Sequence, residues 1–332
     1  MKIVMPGGTG HLGRLLTGSL RTAGHEVVVL SRRPDAQVPG ARVVPWDGGT
    51  TGEWAAELDG SDAVINLAGR SVNCRYTDAN LREMMASRVD SATVVGAAIA
   101  QAAQPPRVWL QMSTATIYAH TYEHANDEAT GVLGGSEAGV PAYWAYSVDI
   151  ARNWERAQAD APTPATRKVA LRTSIVMAPA PGGAFDMLLR LTRRGLGGPV
   201  AGGRQYMSWI HGDDLARAVD LLLDRDDLAG PVNLATASPL PMRVFMAALR
   251  EAAGVPIGLP ATRWMAELGA LVLRSDTELL LKSRRVVPGR LLDAGFAFEF
   301  PTWPEAARDL VARAGATDGV RPRRAPGRRR RG

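Results

Sequence analysis

An α/β fold built on a parallel sheet is what this sequence predicts, and three observations carry the reading. The first is the opening, where Lys2-Ile3-Val4-Met5 runs into Gly7-Gly8-Thr9-Gly10-His11-Leu12-Gly13. An apolar strand here meets a glycine turn, and Leu12, Leu15, Leu16 and Leu20 then recur at the spacing of one helix face. The second is Asp62-Ala63-Val64-Ile65-Asn66-Leu67-Ala68-Gly69, a continuous apolar run suited to a strand buried on both faces. The third is alternation: strands at Glu26–Leu30, Arg42–Val44, Val108–Met112 and Lys168–Arg172 are interleaved with helical patterns over Asn80–Gln104 and Ala142–Ala159. Pro105-Pro106 stops the first of those helices.

Each glycine of the opening has a separate use. Gly7, Gly10 and Gly13 let the chain turn tightly, let backbone approach a pyrophosphate with no Cβ in the way, and let the helix sit close to its strand. The free N–H groups of the helix start, around Thr9, Gly10, His11 and Leu12, then face the phosphates with a partial positive charge behind them. Strand two delivers Ser31-Arg32-Arg33 where an NAD enzyme would place an acid for the ribose 2′-hydroxyl. Two guanidinium groups and a hydroxyl suit a 2′-phosphate, so the expected cofactor is NADP(H). Small residues at the end of strand four, Leu67-Ala68-Gly69, let a cofactor pass over the sheet edge, and Met112 closes strand five beside it.

Composition excludes several other classes. The chain has 332 residues, 46% hydrophobic and 22% charged, enough for a large core in one α/β unit or two domains. No uncharged apolar run of membrane-spanning length occurs, and a strand starting at residue 2 leaves no space for a secretory signal. The lone Cys74 rules out an intrachain disulfide, and a cytoplasmic location is expected. The net charge of +6 resembles a nucleic-acid signature until it is located. Residues 318–332 hold seven arginines and one aspartate, so the rest of the chain is formally neutral and no basic groove for nucleic acid is expected. No cluster of His and Cys has metal-ligand spacing. The expected organisation is a dinucleotide-binding domain at 1–177, a substrate-side region at 178–316 partly interleaved with the sheet, and a disordered basic tail at 317–332.

Several phrases together resemble the extended short-chain dehydrogenase/reductase family: GGTGHLG, VINLAG, STATIY, SWIHGDDLARA at 208–218 and GPVN at 230–233. Within it, SRVDSAT at 87–93, NWERA at 153–157 and KSRRVVPGRLLDAGFAFEFP at 282–301 resemble an atypical subgroup named for nucleoside-diphosphate-sugar epimerases. The resemblance implies a Rossmann-like, doubly wound, mostly parallel seven-stranded sheet with a smaller C-terminal substrate domain. In that family the working trio is a Ser or Thr after strand five and a Tyr followed four residues later by a Lys. Thr114 matches the first member, and Tyr143 and Tyr146 are candidates for the second. Four residues beyond them stand Ser147 and Ile150, and the chain's three lysines, Lys2, Lys168 and Lys282, all fall elsewhere. The Tyr-Lys pair is therefore missing.

Three functions compete. The first is NADPH-dependent reduction of a bulky apolar ketone, with Trp109, Trp144, Trp209, Met187, Met207, Tyr206, Trp264 and Met265 able to wall an aromatic pocket. Here the chain is similar to ketoreductases that tailor aromatic polyketides of the angucyclinone type. The second is a nucleotide-sugar epimerase or dehydratase, for which Arg193, Arg194 and Arg204 would meet a diphosphate. The third is a non-catalytic NADP(H)-sensing protein. The composition of the tail generates one prediction: deleting residues 319–332 changes the melting temperature by less than about 2 °C, because it removes no packed surface. A loss of several degrees in a thermal melt would show that the arginines dock on the body.

Overall fold

The computed structural model describes residues 1–72, 74–141, 143–262 and 278–319. The central strands are β1 (Lys2–Pro6), β2 (Glu26–Ser31), β3 (Arg42–Pro45), β4 (Ala63–Asn66), β5 (Val108–Thr114) and β6 (Arg167–Thr173). Beyond them come β7 (Ile175–Met177), β8 (Tyr206–Met207), β9 (Trp209–His211), β10 (Gly230–Leu234) and β11 (Leu240–Pro241). The main sheet has seven strands in the order β10-β6-β5-β4-β1-β2-β3, and every pair in it is parallel. The expected doubly wound architecture is thus present, with its switch point between β1 and β4.

Right-handed crossovers leaving that point in opposite directions put their helices on opposite faces. Helix α1 (His11–Thr22) follows β1, whereas α2 (Asp78–Gln101) and α3 (Trp144–Ala159) follow β4 and β5 and pack on each other. The remaining α-helices among the described residues are α4 (Ala184–Arg193), α5 (Gly212–Asp224), α6 (Met242–Ala252), α7 (Glu278–Leu281), α8 (Gly289–Asp293) and α9 (Trp303–Gly319). Helix α5 packs beside α1, and β10 then joins the main sheet next to β6. Residues 212–234 therefore serve the sheet although they follow the start of the substrate-side region.

Burial explains the strand pattern. Val4, Met5, Val28, Val29, Ala63, Val64, Ile65, Val108 and Leu110 are completely buried, so neither face of the sheet is wetted. A second apolar cluster forms around Trp209, Phe245 and Trp303. Trp303 stacks on Phe245 at 3.8 Å, meets Trp209 edge-on at 5.0 Å, and donates its Nε1 hydrogen to the Phe245 carbonyl at 2.8 Å. This anchors α9 on α6.

Several boundaries differ from the sequence reading by one to three residues, and two of the differences have a side-chain cause. Strand β4 ends at Asn66, not Gly69, because the Asn66 Oδ1 accepts the Ala68 N–H at 3.0 Å and turns the chain out of the ladder. Helix α2 begins at Asp78, two residues early, because Thr77 caps it with Oγ1 accepting from the Asn80 N–H. The tail arginines, like Trp264 and Met265, lie outside the described residues, and no described helix is long and apolar enough to cross a membrane.

The glycine turn is packed to contact. Gly7 has φ +76°, and a Cβ there would lie 2.6 Å from the Ala68 Cα at the exit of β4. A Cβ on Gly13 would lie 2.2 Å from the Gly8 carbonyl oxygen, whereas one on Gly10 would meet nothing within 4 Å. Gly13→Ala should therefore cost about 1–3 kcal/mol, read as a lower midpoint in urea. Gly10→Ser, at an extended N-cap position that serine favours, should leave the free protein as stable or slightly more so.

Candidate active site

The site lies beyond the carboxyl ends of β1, β2, β4 and β5. The Gly7 N–H donates to the Leu30 carbonyl at 2.9 Å, which ties the glycine turn to the end of β2. Gly10 caps α1 and borders open space, so the first N–H groups of that helix are accessible to an anion. Thr9 is half-buried and its carbonyl accepts from the Arg14 Nε at 3.2 Å. His11 is exposed, with Nε2 3.5 Å from the place a Cβ on Gly182 would occupy. Leu12 turns inward and packs on the main core.

At the end of β2, Ser31 is buried and its Oγ accepts the Arg33 N–H at 3.1 Å. That bond turns the chain and leaves both Arg32 and Arg33 exposed. Asp47, just past β3, spends its carboxylate on its own turn, accepting from the Thr50 hydroxyl and from the Gly49 and Thr50 N–H groups, which hold it at about 2. Two exposed guanidinium groups thus stand at this edge of the sheet, with no nearby acid from this turn committed to them.

The exits of β4 and β5 are pinned by buried polar contacts. Asn66 Nδ2 donates to Gln111 Oε1 at 3.0 Å and joins the two strands below Leu67, Ala68 and Gly69. Under Gly69 lies Arg88 of α2, donating to the Met84 and Arg70 carbonyls at 3.0 Å and set 5.0 Å above the Trp154 ring. Burial pushes Arg88 down to about 10, so it remains a cation at neutral pH. Met112 is buried against Thr173.

Beyond Met112 the two hydroxyls diverge. Ser113 faces inward and donates to Glu155 Oε1 at 2.6 Å. Glu155 grips Arg172 with two bonds of 2.9 Å, Arg172 donates to the Tyr118 hydroxyl at 3.0 Å, and Tyr118 donates to Asn233 Oδ1 at 2.9 Å. The chain of bonds links β5, α3, β6 and β10. Burial pushes the Tyr118 phenol up, which keeps it a donor. Thr114 is half-buried, and its Oγ1 accepts the Thr116 N–H at 3.1 Å. A hydroxyl that accepts in this way keeps its own proton for another acceptor.

The tyrosines separate as well. Tyr143 is exposed at the N-cap of α3, while Tyr146 packs with Leu81, Met84 and Ile150 of an apolar cluster between α3 and α2. Ser147 donates to Glu278 Oε2 at 2.5 Å, and Lys282 stands 3.7 Å from Glu278 Oε1. Lys282 also donates to the Thr116 carbonyl at 2.9 Å, and Arg284 Nε donates to Thr116 Oγ1 at 3.1 Å. These residues were missed because they follow the strand-five exit by more than 160 positions. The available signal was Lys282 in the KSRRVVP phrase, one of three lysines in the chain. The expected aromatic wall needs correction: Trp109, Trp209 and Met207 are buried in the two cores. Of the expected wall, Trp144 stands near the β5 exit, joined by His120 and Tyr122, which lie on the loop after β5, with ring separations of 5.5 Å between His120 and Trp144 and 4.9 Å between His120 and Tyr122. No group of His, Cys, Asp and Glu among the described residues is arranged to hold a metal.

A parallel sheet with a glycine turn at its switch point and a hydroxyl at the tip of β5 defines a dinucleotide-binding, oxidoreductase-type protein. Residues 3–235 match the NAD dependent epimerase/dehydratase family, and the chain belongs to it. Residues 261–310 match a separate domain of unknown function, DUF1731. The "Epimerase family protein SDR39U1" of Bos taurus is 33% identical over 94% of this chain and 100% of its own length. YfhF of Bacillus subtilis is 28% identical over 94% of this chain and 98% of its own. The crystal structure of human SDR39U1 with NADPH superposes with a TM-score of 0.81 at 29% identity, covering 94% of this chain and 99% of that one.

The buried ion pair generates a stability prediction. Glu155→Gln leaves Arg172 with an unpaired charge at 9% exposure, so it should cost about 3–5 kcal/mol. Equilibrium urea unfolding measures this, and a loss under about 1 kcal/mol would show that the pair is dispensable.

Proposed function

We propose that this protein is an NADPH-dependent oxidoreductase that reduces the carbonyl of a small apolar or aromatic ketone. The observation that carries the proposal is the pair of exposed guanidinium groups, Arg32 and Arg33, placed by Ser31 at the end of β2 on the edge that also holds the glycine turn. The NADPH in the human SDR39U1 crystal structure supports the cofactor assignment. The open cradle at Gly10 fits a pyrophosphate, and the approach of Gly7 to Ala68 leaves the β1/β4 crevice free of side chains. Bound NADPH supplies a hydride. Thr114 orients the carbonyl by a hydrogen bond from its hydroxyl to the substrate oxygen, and Arg88 below Gly69 adds positive potential near the reacting end.

The proposed substrate class rests on Trp144, His120 and Tyr122 beside the β5 exit. A polyketide-type aromatic ketone, the narrower class raised by the sequence, belongs in the first panel tested. A hydroxyl next to its carbonyl would deliver the proton that a Tyr-Lys pair delivers elsewhere. Nucleotide sugars belong in the same panel because the family includes epimerases and dehydratases by name. Conversion of a sugar nucleotide with no net change in cofactor would replace the reductase reading.

Two predictions follow from this assignment. NADPH binds at least about tenfold more tightly than NADH, and replacing Arg32 and Arg33 together by serine removes most of the difference, since each charge-assisted bond contributes roughly 1.5–3 kcal/mol. Fluorescence titration with both cofactors reads this, and equal affinities in the unaltered protein would sink the assignment. For turnover, Thr114→Val should cost more than Tyr143→Phe or Tyr146→Phe, each of the latter reducing the rate less than about tenfold. A thousandfold loss on Tyr146→Phe would show that a tyrosine acid operates here.

A further inference from the structure

The lysine absent from α3 leaves Ser147 at its position, and that serine is tied to the C-terminal segment. Ser147, four residues beyond Tyr143, directs its hydroxyl onto Glu278 of α7, whose other carboxylate oxygen faces Lys282. Lys282 holds the carbonyl of Thr116, Arg284 holds its hydroxyl, and the Thr116 N–H holds the Thr114 oxygen. One threonine is thus gripped at three atoms, and two of the grips come from the C-terminal segment. Lys282 and Glu278 are each 1% exposed. Burying such a pair gains little or no stability over an apolar pair of similar size, so its use is sought in position and charge. The β5 tip lies on the β4 and β5 side of the switch point, where the nicotinamide end of a dinucleotide runs if its adenosine end lies over β2.

We propose that the Glu278–Lys282 pair is the positioning unit that substitutes for the missing helix lysine, fixing the Thr114 turn and Ser147 and placing a buried ammonium beside the nicotinamide end of the cofactor. This rests on the cofactor assignment above. Lys282 acts through Thr116 and Glu278, not by touching substrate. The groups that face it are Glu278 of α7, the helix that ends just before it, Glu137 and His120 from the loop after β5, and Arg284, itself facing Tyr76. Burial, opposed by Glu278 and reinforced by Arg284, pushes the ammonium down to about 8. Burial and the same two cations hold His120 below its ordinary value. A cation balanced so close to neutrality responds to any charge placed near it.

The chain's three lysines make that response measurable by NMR of protein labelled with carbon-13 at the lysine ε position. Lys2 and Lys168 sit at the starts of β1 and β6, at the opposite end of the sheet, and Lys2→Arg and Lys168→Arg assign their signals. The expected result is a Lys282 midpoint near 8 that is lower with NADP+, whose ring is positive, than with NADPH by about half a pH unit or more. Glu278→Gln should lower it further in the free protein. In single-turnover oxidation of NADPH by 9,10-phenanthrenequinone, Lys282→Met should lose about tenfold or more in rate, and Lys282→Arg should recover part of that loss. A Lys282 midpoint identical with the two cofactors, both shown to bind by fluorescence, overturns this proposal and leaves the cofactor assignment standing. Failure of NADPH to bind at all overturns both. The titration uses the unaltered full chain, so it decides even if Lys282→Met does not fold.

Discussion

The approach of three backbone segments at the mouth of the β1/β4 crevice is the constraint on which the rest of the molecule depends. Gly7 touches the exit of β4 at Ala68, and Gly13 touches Gly8, so strand, turn and helix meet with no side chain between them. That contact fixes α1 against the sheet and aims its N-terminus along the crevice. The contact is steric, so a single methyl group disturbs it. Gly10, in the same turn, has open space around it, and its freedom serves access to the helix start rather than packing.

Besides Arg88 under Gly69, two networks of buried charge stand around this crevice. The Ser113–Glu155–Arg172–Tyr118–Asn233 chain crosses β5, α3, β6 and β10, and holds the strand ends in register where the apolar core stops. The Lys282–Glu278 pair does comparable work from the C-terminal segment, on the outer side of the same strand exit. One network faces into the sheet and the other covers it. Adjacent hydroxyls, Ser113 and Thr114, are divided between them because successive residues of a strand point to opposite sides. The inward hydroxyl is consumed in structure and the other keeps a proton to donate.

The residues after β6 have their own apolar core around Trp303, Phe245 and Trp209, yet they are not independent of the sheet. Helix α5 returns to pack beside α1, β10 extends the sheet, and Ser208 accepts from the Val286 N–H while donating to the Arg284 carbonyl. Asp214, fully buried at the start of α5, accepts from the Glu299 and Phe300 N–H groups at 2.8 and 2.9 Å. These bonds tie residues 284–300 to the start of α5 and to the turn between β8 and β9.

Local chemistry was legible in the sequence where the determinant was local. The glycine turn, the apolar strands and the arginines after β2 each express a steric or electrostatic rule acting over a few residues, and the structure places them accordingly, whereas α2 ends at Gln101, three residues short of the expected Gln104 before Pro105-Pro106. Element ends were less legible, because Asn66 and Thr77 end or start their elements through side-chain bonds that apolar periodicity does not register. Tertiary structure alone decided which tryptophans are core and which border the β5 exit, since hydrophobicity is the same in either place. It also decided what Ser147 meets. A search four residues along one helix from Tyr143 finds only this serine, whereas the fold brings Glu278 to its hydroxyl and Lys282 to the other oxygen of that carboxylate, from 131 and 135 positions further on. Periodicity within one helix constrains neighbours at one-turn spacing; a contact between Ser147 and Glu278 exists only once α3 and the C-terminal segment have packed over the end of the sheet.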